Sequence, residues 1–102
     1  MRTLTEGHKY SLQNFESKEE VQVIQFIEKA KVIETDELLT VNDGTTNEEV
    51  LEMLIDRMKY LFGKFPSKET ACAITKCEEA LMWLEKRTQD RIKRGVEGKH
   101  IK

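Results

Sequence analysis

Two amphipathic segments joined by a short break occupy the second half of the chain. The first has an apolar stripe at helical spacing, made of Val50, Leu51, Leu54, Ile55, Met58, Leu61 and Phe62. Gly63 suits the position after a helix and Pro66 cannot continue one, so the helix ends there. Ser67 then caps a second, longer helix over 68–94. Because the connection is so short, the sequence predicts an antiparallel helical hairpin over 45–102.

The first 44 residues carry weaker patterns. Residues 1–16 lack clear periodicity and predict an extended or weakly helical arm. A Ser-x-x-Glu capping box begins at Ser17, and the apolar residues after it recur mostly at helical spacing, which predicts a first helix over 18–31. Residues 32–44 end in an Asn-Asp-Gly turn signal and are interpreted as a structured loop. The predicted fold is all-α: an N-terminal arm and helix, then a long helical hairpin.

Length and composition limit the class of protein. The chain of 102 residues predicts a single domain over 1–102, divided into 1–44 and 45–102. Its hydrophobic share of 38% is low for a globular domain, so we expect a homo-oligomer. No apolar stretch approaches the roughly 20 residues of a membrane span, and the first residues do not form a secretory signal. Two cysteines are too few for a disulfide scaffold, so we expect a soluble protein of a reducing compartment.

Catalytic and metal-binding patterns are weak. Cys72 and Cys77 are five residues apart, about 140° around a helix, and would not face one metal ion. There is no Walker phosphate loop or dinucleotide fingerprint, and no histidine is tied by spacing to a serine or cysteine. The carboxylates of the first hairpin helix are typical of a solvated face. The sequence therefore predicts no catalytic residue, metal site or cofactor.

Charge is distributed unevenly along the chain. The net charge is −2, yet residues 86–102 carry seven basic and two acidic residues, or +5, which leaves −7 on residues 1–85. A basic helix end complements the helix dipole, and it also offers side chains that bind phosphate. Both interpretations remain open from the residues alone.

Aromatic and basic residues occur together in two places. His8, Lys9 and Tyr10 are consecutive, and Trp83 precedes a cluster of cations in the last helix. Its cations are Lys86, Arg87 and Arg91. Trp83, Arg87 and Arg91 are spaced i, i+4 and i+8, which predicts one shared face. A nucleotide needs a flat surface for its base and charge-assisted donors for its phosphate. Packing in a core or interface is the alternative role for Tyr10 and Trp83.

The run over residues 73–87, Ala-Ile-Thr-Lys-Cys-Glu-Glu-Ala-Leu-Met-Trp-Leu-Glu-Lys-Arg, resembles the long-helix signature of the phage anti-CBASS cyclic-nucleotide sponge family. That family shares its hairpin domain with the anti-Thoeris sponges, and the resemblance is best over 45–100. It implies a protein that binds and sequesters cyclic dinucleotide immune signals such as 3′,3′-cGAMP without cleaving them, so that the CBASS effector stays inactive. It further implies a homohexamer with pockets between protomers, in the cytoplasm of the infected bacterial host.

The resemblance also implies ligand-binding residues. An aromatic residue near the N-terminus of these sponges stacks on a base, and Tyr10 matches it best, with His8 second. A lysine of the first long helix holds the phosphate region, and Lys29 matches it. Arg87, or Lys86 beside it, matches the arginine of a second pocket for cyclic trinucleotides. The threonine of that pocket is replaced by Lys31, which argues against trinucleotide binding. The predicted ligand-binding set is Tyr10, His8, Lys29, Trp83, Lys86, Arg87 and Arg91.

Other functions are weighed against the sponge. A small helical adaptor or inhibitor that docks on a host defence protein would also fit, with the acidic residues of 34–56 steering the encounter. Binding of nucleic acid by residues 87–102 is disfavoured by the net charge of −2. A hydrolase has the least support. We therefore expect a non-enzyme with no membrane, DNA or RNA partner.

Overall fold

The computed structural model describes residues 1–95 and Lys99. Five strands precede two helices, in the order β1 (Arg2–Thr5), β2 (Lys9–Gln13), β3 (Val21–Gln25), β4 (Glu28–Lys31), β5 (Leu38–Asn42), α1 (Asn47–Lys64) and α2 (Lys68–Lys93). The chain divides into two compact units, residues 1–46 with all the strands and residues 47–102 with both helices. The protein is therefore mixed α and β, and the prediction of an all-α fold is wrong.

The predicted N-terminal arm forms an antiparallel sheet in the order β1-β2-β3. The central strand β2 pairs Tyr10 with Thr3 on one side and with Ile24 on the other. The next residue, Ser11, pairs with Arg2 and Val23. Because successive side chains of a strand point to opposite faces, Tyr10 and Ser11 lie on opposite faces of this sheet.

The predicted helix over 18–31 is wrong, because its segment forms β3 and β4. The capping-box residues Ser17 and Glu20 form a turn between β2 and β3 instead, in which the Glu20 backbone N–H donates to the Ser17 carbonyl at 3.1 Å. The Asn14 N–H donates to the Glu20 carbonyl at 3.3 Å and closes the loop. A helix of this length has little stability of its own in water, so pairing along the whole of β2 decides the conformation.

The predicted loop over 32–44 contains a strand, since β5 pairs with β4 in a second antiparallel sheet. Glu34, in the turn between the two strands, has a φ of 68°. After β5, Thr45 pairs with the backbone just beyond β3: its N–H donates to the Gln25 carbonyl at 2.8 Å, and its carbonyl accepts from the Ile27 N–H at 2.9 Å. This contact ties the end of the strand-containing unit back to its middle.

The two helices predicted for the hairpin are confirmed. They run antiparallel, because Lys59 of α1 forms an ion pair with Glu78 of α2, while Glu52 and Glu85 line one groove farther from the turn. Ile55 and Ile74 are the buried apolar residues of the described chain. The inner stripe of α2 continues at steps of three and four through half-buried Cys77, Leu81, Leu84 and Thr88 to buried Arg91.

Replacing Ser67 by alanine is expected to lower the free energy of unfolding by about 1 kcal/mol. The Ser67 hydroxyl accepts a hydrogen bond from the Thr70 N–H at 3.1 Å, and alanine leaves that donor of the first helical turn without its partner. Urea unfolding measures the change. Ser67→Asp is the control, because its carboxylate accepts the same bond and should keep most of the stability; equal losses in both variants would contradict the capping role.

Candidate ligand-binding residues

His8 and Tyr10 lie together at the start of β2. The Tyr10 ring meets the Phe26 ring edge to face, with centroids 6.0 Å apart and planes at 81°. His8 occupies the turn before the strand, where its carbonyl accepts from the Phe26 N–H at 2.7 Å and its Nδ1 lies 3.0 Å from the Glu6 carbonyl oxygen. Both side chains are half-buried. The strand pairing thus holds the Tyr10 and Phe26 rings in contact as an aromatic surface, and the turn holds the His8 imidazole against the Glu6 carbonyl.

Lys29 lies on β4, in the second sheet, and not on a helix as predicted. It pairs with Thr40 of β5, and its side chain is exposed. Within the described residues Lys29 has no ion pair. The structure therefore places this cation and Tyr10 on different sheets of one unit, with the Lys29 ammonium available to an anion.

The four predicted residues of α2 separate into two groups. Trp83 is 58% exposed, and Lys86 and Arg87 are exposed as well. Arg91 is only 6% exposed, and its guanidinium donates to the Lys99 carbonyl at 2.6 Å. The predicted shared face is not observed, because eight residues turn a helix by about 80° beyond two full turns. Trp83 and Arg87 remain one turn apart on the exposed side, while Arg91 joins the inner stripe.

Replacing Arg91 by alanine is expected to cost about 2 kcal/mol of stability, because the Lys99 carbonyl loses a charge-assisted donor and the packed arginine stem is removed. Guanidinium chloride unfolding measures this loss. Arg87→Ala, on the exposed side of the same helix, is the matched control and should change stability by about 0.5 kcal/mol or less. Similar losses in the two variants would refute a structural role for Arg91.

A groove of about 380 Å³ lies between α1 and α2, but its charge is wrong for a phosphate ligand. Its walls carry four carboxylates, from Glu52, Asp56, Glu78 and Glu85, over an apolar floor. The lysine among its lining residues, Lys59, already pairs with Glu78 at 3.1 Å. None of the predicted ligand-binding residues lines this groove.

Phe26, whose ring contacts the Tyr10 ring, is a residue of the candidate site that the sequence analysis did not single out. A signal was present, because Ile24 and Phe26 alternate with polar Gln25 as in a half-buried strand.

Cys72 is exposed and Cys77 half-buried, so neither lies in the core, and the described residues hold no cluster of three or more metal-ligating side chains. Neither helix is long and apolar enough to span a membrane, as far as the described residues go.

Part of the predicted basic C-terminal end lies outside the described residues, namely 96–98 and 100–102, which include Lys102 and His100. Of that end, Lys86, Arg87, Lys93 and Arg94 are exposed and Arg91 is buried. Of these exposed cations, Lys93 in the last turn of α2 and Arg94 at its C-cap complement the helix dipole.

Comparison with known proteins identifies a family. Residues 19–89 match the family described as "Acb2/Tad1, hairpin domain". A curated relative, "Thoeris anti-defense 1" of Bacillus phage SBSphiJ7, is 52% identical over 61 residues. That match covers 59% of this chain but only 43% of the relative's length. The family match spans more than half of the chain, from β3 into the last third of α2, so the protein belongs to the Acb2/Tad1 hairpin domain family.

Proposed function

We propose that this protein is a phage counter-defence sponge: it binds and sequesters cyclic dinucleotide immune signals such as 3′,3′-cGAMP without cleaving them, and so keeps CBASS effectors inactive. The family match over residues 19–89 carries the proposal. The identity to a phage protein named for anti-defence against Thoeris supports the counter-defence role. Such a protein would act in the cytoplasm of the infected host and would need no catalytic residue or cofactor.

The proposed binding residues supply the two kinds of contact that a cyclic dinucleotide needs. The edge-to-face pair of Tyr10 and Phe26 offers an aromatic surface for a base, and His8 lies two residues before Tyr10 in the preceding turn. Exposed Lys29 offers an ammonium group for the phosphates. Trp83, Lys86 and Arg87 repeat the combination of ring and cations on α2. Cyclic trinucleotides are not part of the proposal, because Lys31 replaces the required threonine.

Self-association fits this proposal. Both helices leave large apolar side chains exposed, among them Met53, Tyr60 and Phe65 of the α1 side and Met82, Trp83 and Ile92 of α2. Contact between protomers would remove these side chains from water. We propose a homohexamer, in which residues from several protomers enclose each ligand and reduce the entropy lost on binding.

Nucleotide capture tests the function directly. Purified protein is incubated with 3′,3′-cGAMP, and free nucleotide is measured before and after heat denaturation. Loss of free nucleotide followed by its intact release is expected. Release of a cleaved product would instead identify an enzyme, and no capture by folded oligomer would refute the proposal for this signal. In that case, a host defence protein recovered in stoichiometric amount without nucleotide would favour the adaptor function.

A further inference from the structure

The helix α1 has a second apolar side, away from the one that packs in the hairpin. Because each residue turns a helix by about 100°, seven residues of α1 fall within an arc of about 120° centred on Arg57. They form the outer stripe of α1, namely Val50, Met53, Leu54, Arg57, Tyr60, Leu61 and Lys64. Buried Ile55 lies about 160° around the helix from Arg57. The outer stripe therefore points away from the interior of the hairpin.

The outer stripe combines exposed apolar side chains with positive charge. Met53 is 54% exposed and Tyr60 is 62% exposed. Arg57 and Lys64 are exposed as well, and neither has an ion pair within the described residues. The acidic residues of α1 all lie outside the stripe. A surface that covers this stripe favourably must therefore be apolar and must also carry carboxylates for the two cations.

The groove between α1 and α2 has this complementary chemistry. Its floor is apolar, and its walls carry four carboxylates against one lysine. Glu78 and Glu85 of the groove are seven residues apart along α2, which corresponds to about 10.5 Å. Arg57 and Lys64 of the stripe have the same spacing along α1. An outer stripe laid along the groove would thus bring two cations to two carboxylates.

We propose that the outer stripe of one protomer lies in the acidic groove of the next protomer. Contact between two stripes would gather four cations without a carboxylate, and contact between two grooves would gather eight carboxylates, so neither two-fold arrangement fits. A contact between two different surfaces closes into a ring when its rotation allows. The proposal names an interface that the proposed function leaves open, and it rests on the homohexamer proposed above for the closure of the ring.

Two charge-reversed variants test this contact. One carries Arg57→Glu and Lys64→Glu in the outer stripe, and the other carries Glu78→Lys and Glu85→Lys in the groove. Sedimentation equilibrium gives the mass of each full-length chain at one protomer concentration and low salt. Each variant alone sets like charges against each other, so its dissociation constant for self-association should rise at least about 100-fold.

Mixing the two variants gives the sharper result. Every contact between them pairs a reversed stripe with a reversed groove, or an unchanged stripe with an unchanged groove. They should therefore assemble in equal amounts to the mass that the unchanged chain reaches. Circular dichroism checks that both are folded, and loss of the exposed Lys59–Glu78 pair should cost little stability. Glu52→Lys with Glu85→Lys leaves that pair intact and serves as a second groove variant.

The control for the stripe variant is Lys31→Glu with Lys68→Glu. It reverses two exposed cations outside the stripe, changes the net charge equally and should assemble as the unchanged chain does. Normal assembly by either reversed variant alone, or no assembly in the mixture of folded variants, would overturn the contact. A monomeric unchanged chain would also overturn it and would leave the outer stripe to an acidic partner protein.

Capture of 3′,3′-cGAMP is measured on the same samples, so that the two proposals can fail separately. Assembly that follows the expected pattern without nucleotide capture would refute the proposed function and leave this contact standing. Capture by the unchanged chain, together with normal assembly of the reversed variants, would refute the contact and leave the proposed function standing.

Discussion

Gly44→Ala is expected to lower the free energy of unfolding by about 3 kcal/mol, at the upper end of what overpacking usually costs. A Cβ at this position would lie 2.7 Å from the carbonyl carbon of Phe26 and 2.8 Å from that of Gln25. Both are backbone atoms, so no side-chain rotation relieves the contact. The segment would have to move away, which would strain the hydrogen bonds that Thr45 makes with Gln25 and Ile27.

Chemical denaturation at one fixed protomer concentration measures this loss, because the stability of an oligomer depends on concentration. Gly63→Ala is the matched control. A Cβ at Gly63 meets nothing within 4 Å, and the residue lies within α1, so the same change should stabilise the protein by about 0.5–1 kcal/mol. The change in the free energy of unfolding is expected to have opposite signs in the two variants. A Gly44→Ala variant of unchanged stability would show that residues 44–46 do not pack against the backbone after β3 as described.

Tyr10→Ala is expected to weaken binding of 3′,3′-cGAMP about 5- to 150-fold, since loss of one base–aromatic contact costs about 1–3 kcal/mol. The ring also packs on Phe26, so its removal would leave that second ring without its edge-to-face partner. Isothermal titration calorimetry measures the affinity. Lys29→Ala removes a charge but no stacking surface, and it should also weaken binding. Because the lost contact is between charges, the affinity of the unchanged chain should fall more steeply with salt than the affinity of the variant.

Tyr10→Phe is the control for this result, because it keeps the ring and removes only the phenolic hydroxyl. It should bind within about threefold of the unchanged chain, less than the effect of one net hydrogen bond. Thermal melts of both variants check that the sheet still forms. If Tyr10→Ala and Lys29→Ala are both folded and both bind 3′,3′-cGAMP as tightly as the unchanged chain, the assignment of the ligand site to these residues is wrong.

Prediction from sequence succeeded where structure depends on neighbours in the chain. The α1 stripe from Val50 to Phe62, the break at Pro66 and the Ser67 cap all act within one or two helical turns, and the hairpin follows from them. The predicted helix end at Gly63 is wrong by one residue, because α1 continues through Gly63 to Lys64. The family resemblance rested on this same helix and is confirmed at the level of the hairpin domain family. The specific ligand and the site residues remain predictions.

Prediction from sequence failed where residues far apart in the chain determine the conformation. Ser17 to Glu20 satisfies the local rule for a helix start, yet the same four residues make an equally good turn. The pairing of β2 with β3 decides between the helix start and the turn. At Tyr10 and Ile24 the paired residues are fourteen positions apart in the chain, and a rule based on near neighbours does not detect such a pairing. The predicted face shared by Trp83 and Arg91 is wrong for a geometrical reason, since eight residues carry Arg91 around the helix to the inner stripe.

By itself, the sequence determined the helical hairpin, because caps, breakers and a repeat of three and four residues express contacts between near neighbours. Only the tertiary structure decided that residues 2–42 form two sheets, that Tyr10 meets Phe26, and that Ser11 lies buried on the opposite face. The physical reason is that a strand takes its hydrogen bonds from another segment, and the identity of that segment depends on the whole unit.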